Sequence, residues 1–491
     1  MRSCPRGVGL AISGLFSLLA AIGCSSSNGS SGSGGAPGSS GAAATGGVVT
    51  SGGSGVSAGA TATGGLAGPS PTGGASSTGG AVSSGGSSTG GNGVGGGVST
   101  GGGGSGTGGT GPGTGGVTNG TTGGISAGGA PVGGGGSPAG GAGPEPFAFG
   151  VPPAAAARFK KGINLGNRLD APNEGDWGGV IYAEDFPFIA QRGFDHVRIP
   201  IRFSGHALAA APYTIDAAFF SRIDTVLDQA TAANLAVILD MHAYDELTKD
   251  VAAHRERFVA LWKQIAERYQ SRPDTVAFEL FNEPYGGLDT TWNDVLVPAL
   301  QAVRATNPRR LVIIDSVFWA DPSKLSLLAL PDDANLLTSI HLYEPKLFSF
   351  QGQEWMGEAY LTTGVVFPGP PSTPITPVQA AKDTAWANDW FTAYNSQPAA
   401  TNPSGLATIA AQIALITSYQ QSKGRAVYNG EWGPQDGGAM DSRVRLVAAV
   451  RAACEAANIG WAIWEDPEHM SLFDSRAGTW QTPIIDALLP P

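Results

Sequence analysis

Two glutamates stand at the ends of short apolar runs: Glu283 in VAFELFNEP, residues 276–284, and Glu431 in AVYNGEWG, residues 426–433. A carboxyl at the mouth of a buried strand is held on a rigid element. Partial withdrawal from water raises its pKa. Two such carboxyls facing each other suit glycoside hydrolysis, in which one protonates the leaving oxygen and the other attacks or stabilises the anomeric carbon. The plainer alternative for either glutamate is an ion pair with a buried base such as Arg198. Metal-assisted hydrolysis through Asp240, His242 and a glutamate is the weaker chemistry, because it offers too few ligands for an open site.

The elements that would position this pair begin near Phe159, where short β-type runs alternate with amphipathic stretches. Candidate strands are 162–166, 196–201, 236–242, 276–283, 311–317, 336–343, 426–433 and 461–465, with helical periods at 217–233, 253–271 and 442–457 among those between them. Strands alternating with helices imply parallel pairing. Eight such repeats predict a closed (β/α)8 barrel of the TIM type. Asn167, Arg198, His242, Glu283, Tyr343, Glu431 and Trp464 then gather at the strand C-termini, the end that carries the chemistry in such barrels.

The segments GINLGNRLDAPNEGDWGG, FDHVRIPIRFS, ILDMHAYDEL, FELFNEPYGG, SIHLYEPKLFSFQGQEWMG, YNGEWG and WAIWED occur in this order. Together they resemble glycoside hydrolase family 5, most closely its bacterial endo-β-glucanases, over almost all of residues 158–488. The resemblance implies a retaining mechanism without a cofactor on a β-glucan substrate, with Glu283 as acid/base and Glu431 as nucleophile. Arg198 and Tyr343 are then expected to hold Glu431, and Asn282 to bond the 2-hydroxyl of the −1 sugar. His242 and His341 would bind sugar hydroxyls or orient Glu283, and Trp464 would lie under the −1 ring, with Trp461 as its rival for a place in the core. Asn167 would line the negative subsites or simply shape its loop. Ala243 stands where relatives often carry a second histidine, and Phe350 where they often carry another. Loss of two polar contacts favours glucan over mannan. A mannanase, a xyloglucanase, a mixed-linkage glucanase and a non-catalytic glycan-binding barrel remain the alternatives. The segment 356–405 reads as an insertion whose Trp386, Trp390 and Tyr394, with Trp355, would extend the plus subsites or only pack onto the barrel.

Ahead of this part the composition changes. Of 76 glycines, 55 lie in residues 1–150, and no Lys, Arg, Asp or Glu occurs between Arg6 and Glu145. Residues 25–145 are therefore expected to be a disordered Gly/Ser/Thr-rich linker, reaching roughly 60 Å end to end by coil scaling, before a catalytic domain at 146–491. Residues 1–24 read as an export signal, and Ala21-Ile22-Gly23-Cys24 resembles a lipobox that would lipidate Cys24; the alternative is an ordinary signal peptide. A cell-surface or outer-membrane lipoprotein, or a secreted protein, is expected, with no membrane contact beyond that anchor. The part from 151 onward holds 26 basic and 38 acidic residues, a balance that argues against a nucleic-acid partner. Its one cysteine, Cys454, should be a small buried hydrophobe, and a monomer is expected.

Overall fold

The computed structural model describes residues 158–490; the leader with Cys24 and the linker through 145 lie outside the described residues. Eight strands close a barrel in sequence order: β1 (Lys161–Asn164), β2 (His196–Ile201), β3 (Ala236–Met241), β4 (Val276–Glu279), β5 (Val312–Asp315), β6 (Leu336–Leu342), β7 (Val427–Trp432) and β8 (Gly460–Ile463). Every neighbouring pair is parallel, including β8 against β1. The principal helices wrapping them are α1 (Asp185–Arg192), α2 (Ala217–Ala232), α3 (Val251–Tyr269), α4 (Leu288–Arg304), α5 (Ala385–Ser396), α6 (Leu406–Lys423), α7 (Met440–Ala456) and α8 (Thr482–Leu488). The (β/α)8 barrel expected from the alternation is present. The fifth connection is reduced to a turn at Val317–Ala320 and a 3-10 helix at Pro322–Leu327.

Local chemistry explains the helix starts. The Asp216 carboxylate accepts the Ala218 and Phe219 N–H groups ahead of α2, and Asp250 accepts Ala253 N–H in the first turn of α3. These are donors that a helix cannot satisfy itself. The apolar faces of α3 and α4 then bury Phe258, Leu261, Trp262, Trp292 and Leu296 against the outer face of the sheet. Burying each such side chain is worth about 2 kcal/mol. Trp262 is also tied by its indole N–H to Leu280 O at 2.9 Å, just beyond the end of β4.

Inside the barrel the two-residue period of a strand stacks the side chains in layers. The lower layer is apolar and includes Ala236, Ile238, Ala277, Ile313, Leu337, Tyr428 and Ala462. One inward step further along β3, β4 and β5 stand Asp240, Glu279 and Asp315, all fully buried. The apolar plug is thus the floor on which a polar layer rests.

Seven of the eight strands end earlier than the sequence reading had them, β4 by the most. β4 stops at Glu279 and β8 at Ile463, so Glu283 lies four residues beyond its strand, in a turn with φ +50°. The 356–405 segment holds α5 and a floor of its own, with Val365, Phe367, Ala387, Phe391 and Tyr394 buried. The Tyr394 hydroxyl accepts Val366 N–H at 2.8 Å. Trp390 stacks on Tyr394 at 5.0 Å, which matches the packing alternative of the two expected for it. Trp386 and Trp355 are exposed, at 42% and 57%.

Candidate active site

Arg198 is the hub of the polar layer. It projects from β2 and is fully buried, so every donor needs an acceptor. Nε and Nη2 grip the two oxygens of Glu279 at 2.7 and 3.0 Å. Nη2 also meets Asp240 at 3.0 Å and Asn282 Oδ1 at 2.8 Å. Nη1 donates to Asn164 Oδ1 at 2.9 Å and to Glu431 Oε1 at 2.8 Å. One guanidinium therefore fixes side chains from β1, β3, β4 and β7 and from the turn after β4.

Glu431 reaches this layer through an irregularity in β7. Tyr428 faces the interior, and strict alternation would turn Glu431, three residues on, toward the helices. The β6–β7 register shifts between Ile340 and His341, pairing Ile340 with Asn429 and His341 with Glu431. Gly430 is thereby the extra residue of a bulge, a device that re-aims the following side chain. A Cβ there would lie 2.8 Å from Ser339 Oγ, so glycine permits the close approach. Besides Arg198, the Tyr343 hydroxyl donates to Glu431 Oε2 at 3.1 Å. Burial, and then the Glu431 charge, push the Tyr343 phenol well above its usual range, so it remains a donor. The two partners expected for Glu431 are both in place.

Glu283 is held differently. Its Oε1 meets His341 Nδ1 at 2.7 Å, and its backbone N–H donates to Asp315 Oδ2 at 3.0 Å. Burial alone would raise the Glu283 carboxyl, but the hydrogen bond and charge of His341 outweigh it, and the net shift is downward. That reverses the direction expected from desolvation. The reciprocal effect appears on His341: burial disfavours its charge, yet Glu431 first and then Glu283 carry the imidazole up to about 9. One proton is thus held across the Nδ1–Oε1 contact. An oxygen of Glu283, an oxygen of Glu431 and a nitrogen of His341 all lie within 4.8 Å of one another.

Beside this pair, His242 Nδ1 is bound to Asp240 Oδ2 at 2.6 Å, and its Nε2 lies 3.4 Å from Asn282 Nδ2. Of the two histidines it is therefore His341 that orients Glu283, while His242 braces Asn282 and stacks on Trp464 with centroids 6.0 Å apart. Trp461 is fully buried against Trp432, and Trp464 is 9% exposed. A Cβ on Gly166 would fall 2.2 Å from the Trp464 ring, and Asp466 accepts the Trp464 indole N–H at 3.0 Å. The DPEH stretch after Trp464 so anchors the Trp464 ring through its aspartate. Asn167 adopts φ +57°, and its N–H donates to Asp170, which matches a loop-shaping role more closely than a subsite. Phe350 packs on Tyr343 at 4.7 Å and on Trp355 at 5.5 Å, continuing a run of aromatic rings from Glu431 outward. Cys454 is buried, as expected.

Three supporting residues escaped the sequence reading. Glu279 and Asn164 end their strands as polar residues in apolar runs, a signal that was available. Asp315 carried the same signal in VIID, but its role depends on the turn that brings Glu283 N–H to it. After β5, Phe318, Trp319 and Ala320 all have φ between +54° and +57°, a left-handed run costing about 1–2 kcal/mol per residue. It stacks Trp319 on Tyr285 at 5.1 Å, next to the Glu283 turn. As for metal ligation, the atoms of Glu279, Asp315 and His341 are within 4.8 Å of one another, but both Glu279 oxygens already serve Arg198. Asp240 and His242 are bonded to each other.

Comparison with known proteins agrees with this geometry. Endoglucanase H of Acetivibrio thermocellus is 27% identical over 337 residues, 67% of this chain and 33% of the relative, so the chain spans about a third of that protein's length. The structure of Thermotoga maritima Cel5A in complex with cellobiose is 34% identical, with a TM-score of 0.59 over 70% of this chain and 100% of that one. The same protein in complex with mannotriose gives 33%, 0.59, 70% and 100%. Residues 161–467 match the family described as cellulase (glycosyl hydrolase family 5), and the chain belongs to that family.

Proposed function

We propose that this protein is an endo-acting β-1,4-glucanase that cleaves with retention of anomeric configuration, Glu431 serving as nucleophile and Glu283 as acid/base. The observation that supports it most is the approach of the two carboxyls, oxygen to oxygen within 4.8 Å. Retaining pairs stand about 5–5.5 Å apart and inverting pairs about 6.5–9.5 Å, leaving room for a water.

In the first step a Glu431 oxygen bonds to the anomeric carbon as the glycosidic bond breaks, and Glu283 gives its proton to the departing oxygen. Arg198 and Tyr343 hold the Glu431 oxygens in place until attack, and they receive its charge again when the intermediate is released. In the second step Glu283 takes a proton from water, the water oxygen bonds to the anomeric carbon, and the Glu431 ester opens. The proton for the first step comes from the His341–Glu283 contact. The Glu283 side chain is 26% exposed; a sugar that covers it removes water and shifts the shared proton toward the carboxyl. The Asn282 amide, held by Arg198 through its oxygen, has its nitrogen available to the 2-hydroxyl. Trp464 supplies the apolar floor of the −1 site.

Glucan is preferred to mannan because Ala243 and Phe350 bring no polar group where one would read a further hydroxyl. Export, lipidation of Cys24 and a spacer at 25–145 complete the proposal and place the enzyme outside the cytoplasm. A panel of soluble cellulose derivative, mixed-linkage glucan, xyloglucan, glucomannan and mannan tests the substrate, with Glu431→Ala as the blank. Fastest cleavage of the cellulose derivative with a rapid fall in viscosity is expected. Cleavage of mannan alone, or equal activity in the blank, would overturn the assignment.

A further inference from the structure

The carboxyls and bases of the polar layer do not balance. Asp240, Glu279, Glu283, Asp315 and Glu431 face Arg198, His242 and His341, and all except Glu283 and His242 are at least nine-tenths buried. Fully ionised, these eight groups would carry two excess negative charges in a site withdrawn from water. Among outlying charges, Asp170 acts on His242 and Lys346 on Glu283, but Lys346 is itself paired with Glu344 at 3.8 Å, so they do not remove the excess. A buried carboxylate without a partner is costly enough that it takes up a proton instead. Three of the five touch Arg198 directly, and Glu283 holds His341. Asp315 is the exception. Its closest cation is His341 Nε2, at 3.6 Å, beyond hydrogen-bond reach. Its Oδ1 accepts no hydrogen bond although it is fully buried.

We propose that Asp315 is a positioning residue for the acid/base: an uncharged carboxylic acid whose Oδ2 receives the Glu283 N–H and whose proton bridges to Glu279. This rests on the reading of Glu283 as acid/base. Asp315 thereby fastens the left-handed turn that presents Glu283, while adding no charge behind His341. The carbonyl of Asp315 is itself fixed by the Trp292 indole N–H at 3.1 Å. The groups that face its side chain are Glu279 from β4, His341 from β6, Arg198 from β2, Tyr428 from β7 and Glu283 beyond β4. Burial and then the Glu279 charge push the Asp315 carboxyl well up, against the weaker pull of His341 and Arg198. Were Asp315 ionised instead, it would act as a third anion on the imidazole, beside Glu283 and Glu431, and hold the His341 proton more tightly.

The two states are separated by Asp315→Asn and Asp315→Ala in the full chain, assayed on a soluble chromogenic cello-oligosaccharide, with the His341 titration followed by NMR of labelled histidine. Asparagine keeps an oxygen for Glu283 N–H and a donor for Glu279. It should leave kcat within about threefold, and move neither the pH limbs nor the His341 titration by more than about 0.3 unit. Alanine removes the acceptor behind Glu283 and should lower kcat about tenfold, with KM unchanged. A downward move of the His341 titration by a unit or more in Asp315→Asn, or wild-type kcat in Asp315→Ala, would overturn the proposal. If the alanine variant does not fold, the asparagine titration decides. That titration needs no substrate, so failure of the wild-type chain to cleave glucan would count against the proposed activity and leave the test of Asp315 standing.

Discussion

Glu431 is carried by a strand and Glu283 by the turn beyond one, and the two sites differ in what holds them. Glu431 is 6% exposed, bonded to a guanidinium and a phenol that hold it in line. The Glu283 side chain is 26% exposed, hangs from a left-handed residue, and shares a proton with His341. The first arrangement suits a group that must stay an anion until it attacks. The second suits one that must exchange a proton with a leaving group and then with water. On the proposed reading rigidity lies around Glu431 and proton traffic around Glu283, although the carboxyl oxygens are within 4.8 Å.

Breaking the nucleophile side should have the largest effect. Glu431→Gln leaves the fold and Arg198 contact nearly intact but removes the attacking anion, and kcat should fall on the order of 10⁴ or more on every substrate. Activity within tenfold of wild type would end the distinction. Glu283→Ala should cost about 10²–10⁴ in rate on unactivated glucan, the usual worth of general acid catalysis. With an activated aryl leaving group the first step should be nearly spared. A uniform loss on both substrates would mean that Glu283 is not the acid.

His341→Ala sharpens the contrast through pH. In the native pair the imidazole holds its proton up to about 9, so activity is lost as pH rises through that value. Without the imidazole the proton is held by Glu283 alone, raised only by burial, and the alkaline limb of kcat/KM should move to lower pH. An unmoved limb would separate His341 from the proton. The smallest effect belongs to the rim. Trp355→Ala or Trp386→Ala should weaken long oligosaccharides by about 0.5–1.5 kcal/mol, a several-fold rise in KM, with little change on short ones. Trp390→Ala, which unstacks Tyr394, should lower thermal stability instead.

Much of this was readable in the chain. Eight apolar runs separated by helical periods sufficed for the barrel, because a strand buried on both faces is written as continuous hydrophobic sequence. Glu283, Glu431, Arg198 and Tyr343 were readable as polar residues within or just after apolar runs. What escaped depends on backbone geometry that no local pattern encodes. The bulge at Gly430 decides which way Glu431 points, and the turn at Glu283 decides that its N–H meets Asp315. The direction of the Glu283 shift required knowing that His341, 58 residues away, supplies a partner stronger than burial. Trp386 and Trp390 look alike in sequence, and only the fold of α5 sends one ring outward and the other onto Tyr394.

The central claim, that Glu431 bonds covalently to the sugar while Glu283 manages the proton, is tested most directly by trapping. Incubation with a 2-deoxy-2-fluoro cellobiosyl donor bearing an activated leaving group, followed by mass spectrometry of the intact chain and its peptides, should show one glycosyl adduct on Glu431. An adduct on another residue, or release of the leaving group with inverted product and no adduct under any condition, would contradict it.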